Sequence, residues 1–373
     1  MKNTFSDFYR NKKVLVTGHT GFKGSWLSLW LEMMGAEVIG YSLEPNTTPS
    51  MFNKLQLNKK LTHIIGDVRN AEHLKKVIKQ YNPEIVFHLA AQPLVRLSYK
   101  DPLTTYETNI MGTLNVLEAV RANDCVRAVV NVTSDKCYEN KEYIYGYREI
   151  DPMGGYDPYS SSKGIAELLT SSYRNSFFNP KDFEQTHNMA LASGRAGNVI
   201  GGGDWAEDRL IPDCIRSLSN NETIQIRSPK ATRPWQHVLE PLSGYLLLAE
   251  KLIENPIKYS SGWNFGPYDD SVLTVEKVVE KTIKHWGGGN LNITGAQELH
   301  EANLLKLDIS KAMTYLDWKP VYKADEAIKE TVDWYKEFYS GNNDLENYTY
   351  NQIKNYVSTA QSQNISWSGE NLK

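Results

Sequence analysis

Three cysteines in 373 residues, Cys125, Cys137 and Cys214, are an odd number at no metal-ligand spacing. That argues against a disulfide framework or a zinc site and leaves packed, reduced thiols. No long basic block interrupts a chain of formal charge −3, so neither nucleic acid nor an anionic membrane surface has an electrostatic footprint to bind. No apolar run approaches the length of a membrane span, and MKNTFSDFYRNKK at the start has no apolar core of a secretion signal. A cytoplasmic protein is expected. Low-complexity segments and linkers are also missing, which for this length predicts two abutting or interleaved lobes rather than separate beads. What remains is 40% hydrophobic and 23% charged, the balance of a globular protein with a sizeable core and a small-molecule site. The polar stretch QSQNISWSGENLK at 361–373 is expected to fray.

Short apolar runs alternate with helical patterns from residue 14 onward. VLVTG at 14–18, EVIGYS at 37–42, THIIGD, EIVFHLA, RAVVNVT and MALASGR read as strands. Helices are predicted over 21–35, 70–81, 104–123 and 157–178. This order calls for an α/β fold, a Rossmann-like doubly wound parallel sheet whose ligands bind beyond the carboxyl ends of the strands.

The first turn, TGHTGFKG, spaces Gly18, Gly21 and Gly24 three apart between a strand and a helix. Glycine lets the backbone approach a pyrophosphate, and the helix offers free N–H groups and a positive dipole end, so dinucleotide binding is favoured over a plain tight turn. The carboxylate expected about 20 residues on is not clear: Ser42 holds the strand end and Glu44 follows. No arginine lies between 24 and 68 to meet a 2′-phosphate, which favours NAD over NADP. Asp67 in GDVR reads either as an adenine contact or as a loop cap.

In DPYSSSKGIAELL, Tyr159 and Lys163 lie four apart at a helix start and share a face. An adjacent ammonium favours the phenolate, the form of tyrosine that accepts a proton. With TGHTGFKG, GDVR, HLAAQ, NVTSD and YSSSK in this order, the chain resembles the extended short-chain dehydrogenase/reductase family, the NAD-dependent epimerases and dehydratases. Longer strings, TGHTGFKGSWL, AAQPLVRLSY, TSDKCYENKE, RAGNVIGGGDW and RPWQHVLEPLSGY, resemble its CDP-glucose 4,6-dehydratase branch over about 12–340.

The resemblance implies NAD as cofactor, CDP-glucose as substrate and a homodimer or dimer of dimers built on the helices at 104–123 and 157–178, with Leu114, Leu117, Leu168 and Leu169 as candidate contacts. It implies a catalytic set of Ser134, Asp135, Lys136, Tyr159 and Lys163. The cofactor would lie along Gly18, Thr20, Gly21, Phe22, Gly24, Asp67, Val68, Leu89, Ala90 and Ala91, besides Tyr159 and Lys163. Gln92, Arg96, Asn198, Arg209, Arg233 and His237 would meet the substrate, though His19 and His237 read as readily as structural histidines. The NAD domain would span 1–195 with 237–265 returning to it, the nucleotide-sugar lobe 196–345, and a tail 346–373.

One departure separates the branches. The related dTDP-glucose dehydratases follow the strand-end Asp with Glu; here Lys136 follows Asp135. Consecutive residues on an extended strand point apart, so the two are expected to address different carbons, unless Lys136 only braces the strand end in a salt bridge. A 4-epimerase, a dehydratase for another NDP-glucose, and a non-enzymatic NAD-binding regulator remain alternative readings.

Overall fold

The structure is a computed structural model that describes residues 4–295, 304–341 and 344–369. Six strands, β1 (Lys13–Thr17), β2 (Glu37–Ser42), β3 (Thr62–Ile65), β4 (Ile85–His88), β5 (Ala128–Val132) and β6 (Ala190–Arg195), form a parallel sheet with a seventh, Gly262–Asn264. The order across the sheet is 3-2-1-4-5-6 with Gly262–Asn264 outside β6. Direction of winding reverses between β1 and β4, where Thr17 stands beside His88 in register. A crevice for ligand therefore opens above that pair of strand ends.

Both faces of the sheet are covered, so its strands are apolar on both sides. In β1, Val14 and Val16 belong to one core and Leu15 to the other; in β5, Val130 and Val132 face the first and Val129 the second. The first core holds the helix α1 (Phe22–Met33), through Trp26 and Trp30, and the helix Leu239–Glu254. Helices Ala71–Tyr81, Gly112–Arg121 and Pro158–Ser176 cover the other face. The helix expected over 104–123 is continued N-terminally through a π-turn, Glu107–Met111, to Pro102.

The second lobe is built from small pieces. Val199–Ile200 pairs with Gln236–His237, Ile224–Ile226 with Leu291–Ile293, and Thr232–Pro234 with Val272–Thr274. Helices Leu210–Ser219, Val275–Trp286 and Ala324–Tyr339 support them. Among the described residues, no helix is long and apolar enough to cross a membrane.

Two expectations are corrected. Leu117 is buried in the sheet-facing core and Leu169 packs against it, so neither is free to meet a second subunit, whereas Leu168 is 59% exposed. Residues 361–369 do not fray: Ile365 and Trp367 are buried, and the Trp367 ring stacks on Phe5 with centroids 5.0 Å apart. Residues 370–373 lie outside the described residues. A single tryptophan fixes this segment because it also meets Trp30 and Tyr356, at 5.9 and 5.8 Å. Burying so large a ring dominates the local energetics. Trp367→Ala is expected to lower unfolding stability by about 3 kcal/mol, read by urea titration.

Candidate active site

The crevice above β1 and β4 begins with Gly18, whose φ of +76° is a left-handed conformation that only glycine adopts freely. A Cβ there would lie 2.7 Å from the Ala90 amide nitrogen, and one on Gly24 would lie 2.1 Å from the Gly18 carbonyl oxygen. The first glycine lets β4 and its loop close in; the third lets α1 pack against the turn. α1 starts at Gly21 with no side-chain cap, leaving its first-turn amides to whatever occupies the crevice. These features fit a dinucleotide pyrophosphate.

Around the turn, Thr20 Oγ1 bonds the Ser42 hydroxyl at 2.8 Å and donates to the Leu43 carbonyl. The position where a ribose-binding carboxylate was sought is thus a pair of hydroxyls. Phe22 is part-buried beside the turn; Leu89 and Ala90 donate their amides to the Thr17 carbonyl and hydroxyl, and Ala91 follows on the same loop. Val68 is buried, packed so that a Cβ on Gly112 would approach it to 2.7 Å. Asp67 takes its capping role, accepting the Arg69 amide at 2.8 Å and pairing with the Arg69 guanidinium, which holds its carboxyl below the usual range. His19 is also structural: it is buried with Nε2 2.7 Å from His63 Nδ1, and burial keeps it neutral.

Ser134 ends β5 and caps a single 3₁₀ turn, Asp135–Cys137. That corrects the extended strand end expected here, yet side chains on a turn of three residues still diverge by about 120°. Asp135 is 2% exposed; its Oδ1 accepts the Ser134 hydroxyl at 2.8 Å and its Oδ2 has no hydrogen-bond partner. Room for the carboxylate comes from Gly197, where a Cβ would sit 1.9 Å from Oδ2. Lys136 is part-buried and forms no salt bridge with Asp135 or any other described residue, so the brace reading does not hold.

Helix Pro158–Ser176 is entered through Asp157, which caps it by accepting the Ser160 amide at 2.9 Å. Ser98 Oγ accepts the Tyr159 amide, fixing the first turn to the neighbouring helix Val95–Lys100. Tyr159 is buried near Ser134, with Lys163 buried one turn on. In the protein alone burial pushes the phenol up to about 12, Asp135 and Asp157 add to the rise, and the Ser134 hydroxyl and Arg209 partly offset it. Burial pulls Lys163 down to about 8, against Glu167, whose charge raises it.

Arg209 pairs with Asp204 at 2.7 Å and its charge reaches Tyr159. Arg233 is buried on the strand Thr232–Pro234 and donates to the Thr232 carbonyl. Asn198 sits in left-handed backbone, φ +48°, on the loop that follows β6. Arg96 reaches across to Asp208 at 3.2 Å, which Arg227 approaches at 3.6 Å. Two of the expected contacts have their polar groups engaged or enclosed by the protein itself. Gln92 spends its amide on neighbouring residues, accepting from the Leu94 amide and donating to the Leu94 carbonyl and to Thr105 on the helix Pro102–Tyr106. His237 is fully buried, edge-on to Trp26 and Tyr322 at 5.9 Å each, where burial takes it to about 3.

Sequence reading missed three groups. Gly197 carries no signal until Asp135 is seen against it. Glu167 and Arg195 form a buried pair at 2.7 Å beneath the catalytic cluster, visible only once β5, β6 and the helix are assembled. Lys23, inside the glycine turn, stands near Asp135, Lys163 and Arg209.

The model of the GDP-mannose 4,6 dehydratase family matches residues 15–331. The chain belongs to this family. Among curated family members and relatives, it is 54% identical over 336 residues to CDP-glucose 4,6-dehydratase of Salmonella typhimurium, covering 90% of this chain and 93% of that one. dTDP-glucose 4,6-dehydratase of Xanthomonas campestris is 25% identical over 340 residues, 86% of this chain and 92% of that protein. The fold matches crystalline dTDP-glucose 4,6-dehydratase from Bacillus anthracis, solved with NAD, at TM-score 0.73 and 22% identity over 87% of this chain and 97% of that one. Within the 4,6-dehydratase family fold, Gly18→Ala is expected to weaken dinucleotide binding at least about tenfold, because left-handed strain of roughly 1–3 kcal/mol adds to the clash with Ala90. Fluorescence titration with NAD checks it, and circular dichroism should show the fold retained.

Proposed function

We propose that this chain is an NAD-dependent CDP-glucose 4,6-dehydratase, a hydro-lyase of deoxysugar biosynthesis that converts CDP-glucose to CDP-4-keto-6-deoxyglucose in the cytoplasm. The observation that carries the reading is Asp135: a buried carboxyl with one oxygen on Ser134 and the other unpartnered, followed directly by a lysine with no ion pair. The high identity to the Salmonella protein supports the choice of nucleotide.

The glycine turn of Gly18, Gly21 and Gly24 would hold NAD, which when bound would accept hydride from C4 and return it to C6. Tyr159 takes the proton of the C4 hydroxyl while Ser134 bonds the same oxygen. Since burial holds the free phenol near 12, Tyr159 acts only when positive charge joins Lys163 beside it, which ties proton removal to cofactor occupancy. A C4 ketone acidifies the C5 hydrogen. Lys136 removes that proton, and Asp135 delivers one to the departing C6 hydroxyl, so water is lost across C5 and C6; as hydride returns to C6, the Lys136 ammonium gives a proton back to C5. Arg209, Arg233 and Asn198 hold the substrate diphosphate, the guanidiniums through charge-assisted bonds.

Incubated with NAD and, separately, CDP-, dTDP-, UDP- and GDP-glucose, the chain is expected to form a 4-keto-6-deoxy product from CDP-glucose. Product from another nucleotide alone would overturn the nucleotide assignment, and no product from any would overturn the enzyme. In the same assay Lys136→Gln should accumulate NADH and a 4-keto-hexose that keeps its C6 hydroxyl, with C5 deuterium incorporation from heavy water reduced by about 100-fold or more, the usual contribution of a general base.

A dimer is the natural state of this surface. Leu97, Leu103, Met111, Ile165 and Leu168 are exposed on the helices around 95–111 and 158–176, an apolar face that a second copy would cover with its own equivalents. Light scattering at micromolar protein should give twice the chain mass, and Leu103→Glu with Leu168→Glu should return a monomer.

A further inference from the structure

Lys23 lies in the first turn of α1, where most residues of the turn are small or apolar. Its Nζ stands 6.0 Å from the centroid of the Tyr245 ring. No described residue gives it a hydrogen bond or ion pair, and the same holds for the Lys163 side chain, 7% exposed. Arg209 is the third cation of the group, but Asp204 already neutralises it. From the helix Leu239–Glu254, Tyr245 contributes a hydroxyl that is fully buried and has no partner, in the field of Tyr159 and Asp135. Asp135 is the acid whose charge favours the Lys23 ammonium. A buried hydroxyl without a partner and two lysine side chains that no described residue pairs line one crevice, an arrangement that an entering anion would complete.

We propose that Lys23 is a pyrophosphate-reading residue, whose ammonium is matched only when the pyrophosphate of a nucleotide enters the crevice. The inference rests on the function proposed above for the identity of the nucleotides. Two sources share this chemistry, the cofactor and the sugar nucleotide, and both approach a crevice walled by α1, β5 and Arg209. Burial, then Lys163 and Arg209, pull Lys23 down to about 7, with Asp135 opposing them. Near neutral pH the free protein therefore holds Lys23 partly as the amine. A bound pyrophosphate favours the ammonium, so binding takes a proton from the buffer. The sign follows: affinity is full below pH 7 and falls as pH rises through it, by about tenfold from pH 6 to pH 8 as the competent fraction drops.

The experiment is titration calorimetry at pH 7.5 in two buffers of different ionisation heat, with NAD and with CDP as separate probes, plus dissociation constants from pH 6 to 8.5. The parent protein should take up most of one proton with at least one probe; uptake with NAD alone assigns the cofactor pyrophosphate, with CDP alone the substrate diphosphate. Lys23→Met should take up none and bind that probe about tenfold more weakly at pH 6, with no pH dependence above it. Lys23→Arg should restore affinity at pH 6 and keep it at pH 8. No uptake by the parent, equal uptake by Lys23→Met, or a variant with normal binding and altered turnover only would each overturn the assignment, the last because it would make Lys23 a partner of Asp135. Binding is read without catalysis. A chain that shows the proton uptake yet dehydrates no NDP-glucose overturns the proposed function alone, and one that dehydrates CDP-glucose without uptake overturns this inference alone.

Discussion

The buried pair of Glu167 and Arg195 underlies the geometry of the site. Burial pushes the Glu167 carboxyl up, but Arg195, with hydrogen bonds from Arg195, Thr133 and Ser193, outweighs it and holds the group ionised. Thr133 precedes Ser134, Ser193 and Arg195 belong to β6, and Glu167 lies one turn beyond Lys163 on the helix Pro158–Ser176. One carboxylate thus ties together the strand end, its neighbour and the helix that carries Tyr159. Arg195 extends the tie by donating to the Tyr138 hydroxyl, which donates to Asn264 on the seventh strand. A buried ion pair gains little stability over apolar packing, but here both carboxylate oxygens of Glu167 are hydrogen-bonded, and the pair links elements that the hydrophobic effect alone would leave free to slide.

What the sequence made legible is what short-range physics controls. Alternation of apolar runs with helical periods located β1 to β6, and the glycine spacing located the turn, because φ at Gly18 and the contact at Gly24 involve neighbours a few residues away. Ser134, Tyr159 and Lys163 were found through familiar strings; Tyr159 lies near Ser134, and all three are buried. The failures share a cause. His237 looked like a polar contact because its burial between Trp26 and Tyr322 depends on three distant segments. Gln92 looked free because its partners, Leu94 on the same loop and Thr105 on the helix Pro102–Tyr106, come together only through a turn whose shape no period encodes.

The tail was misjudged for a related reason. Composition weighs all residues equally, whereas Trp367, with Ile365, supplies the anchor, and two of the ring's partners, Phe5 and Trp30, come from the opposite end of the described chain. The helix Leu345–Ser362 adds Tyr356, whose hydroxyl donates to Glu240 at 2.8 Å. Glu240 also accepts the Val321 and Tyr322 amides, so the tail is bonded into the first lobe.

The stack of Trp367 on Phe5 joins residues nearly a whole chain apart. During synthesis the nucleotide-binding half emerges first, yet the apolar face around Trp30 lacks its cover until Trp367 has been made. At roughly 5–20 residues per second, that face waits on the order of tens of seconds. A nascent chain of this kind offers a tryptophan-rich surface to chaperones for most of its time on the ribosome, and burial of that surface comes only at the end.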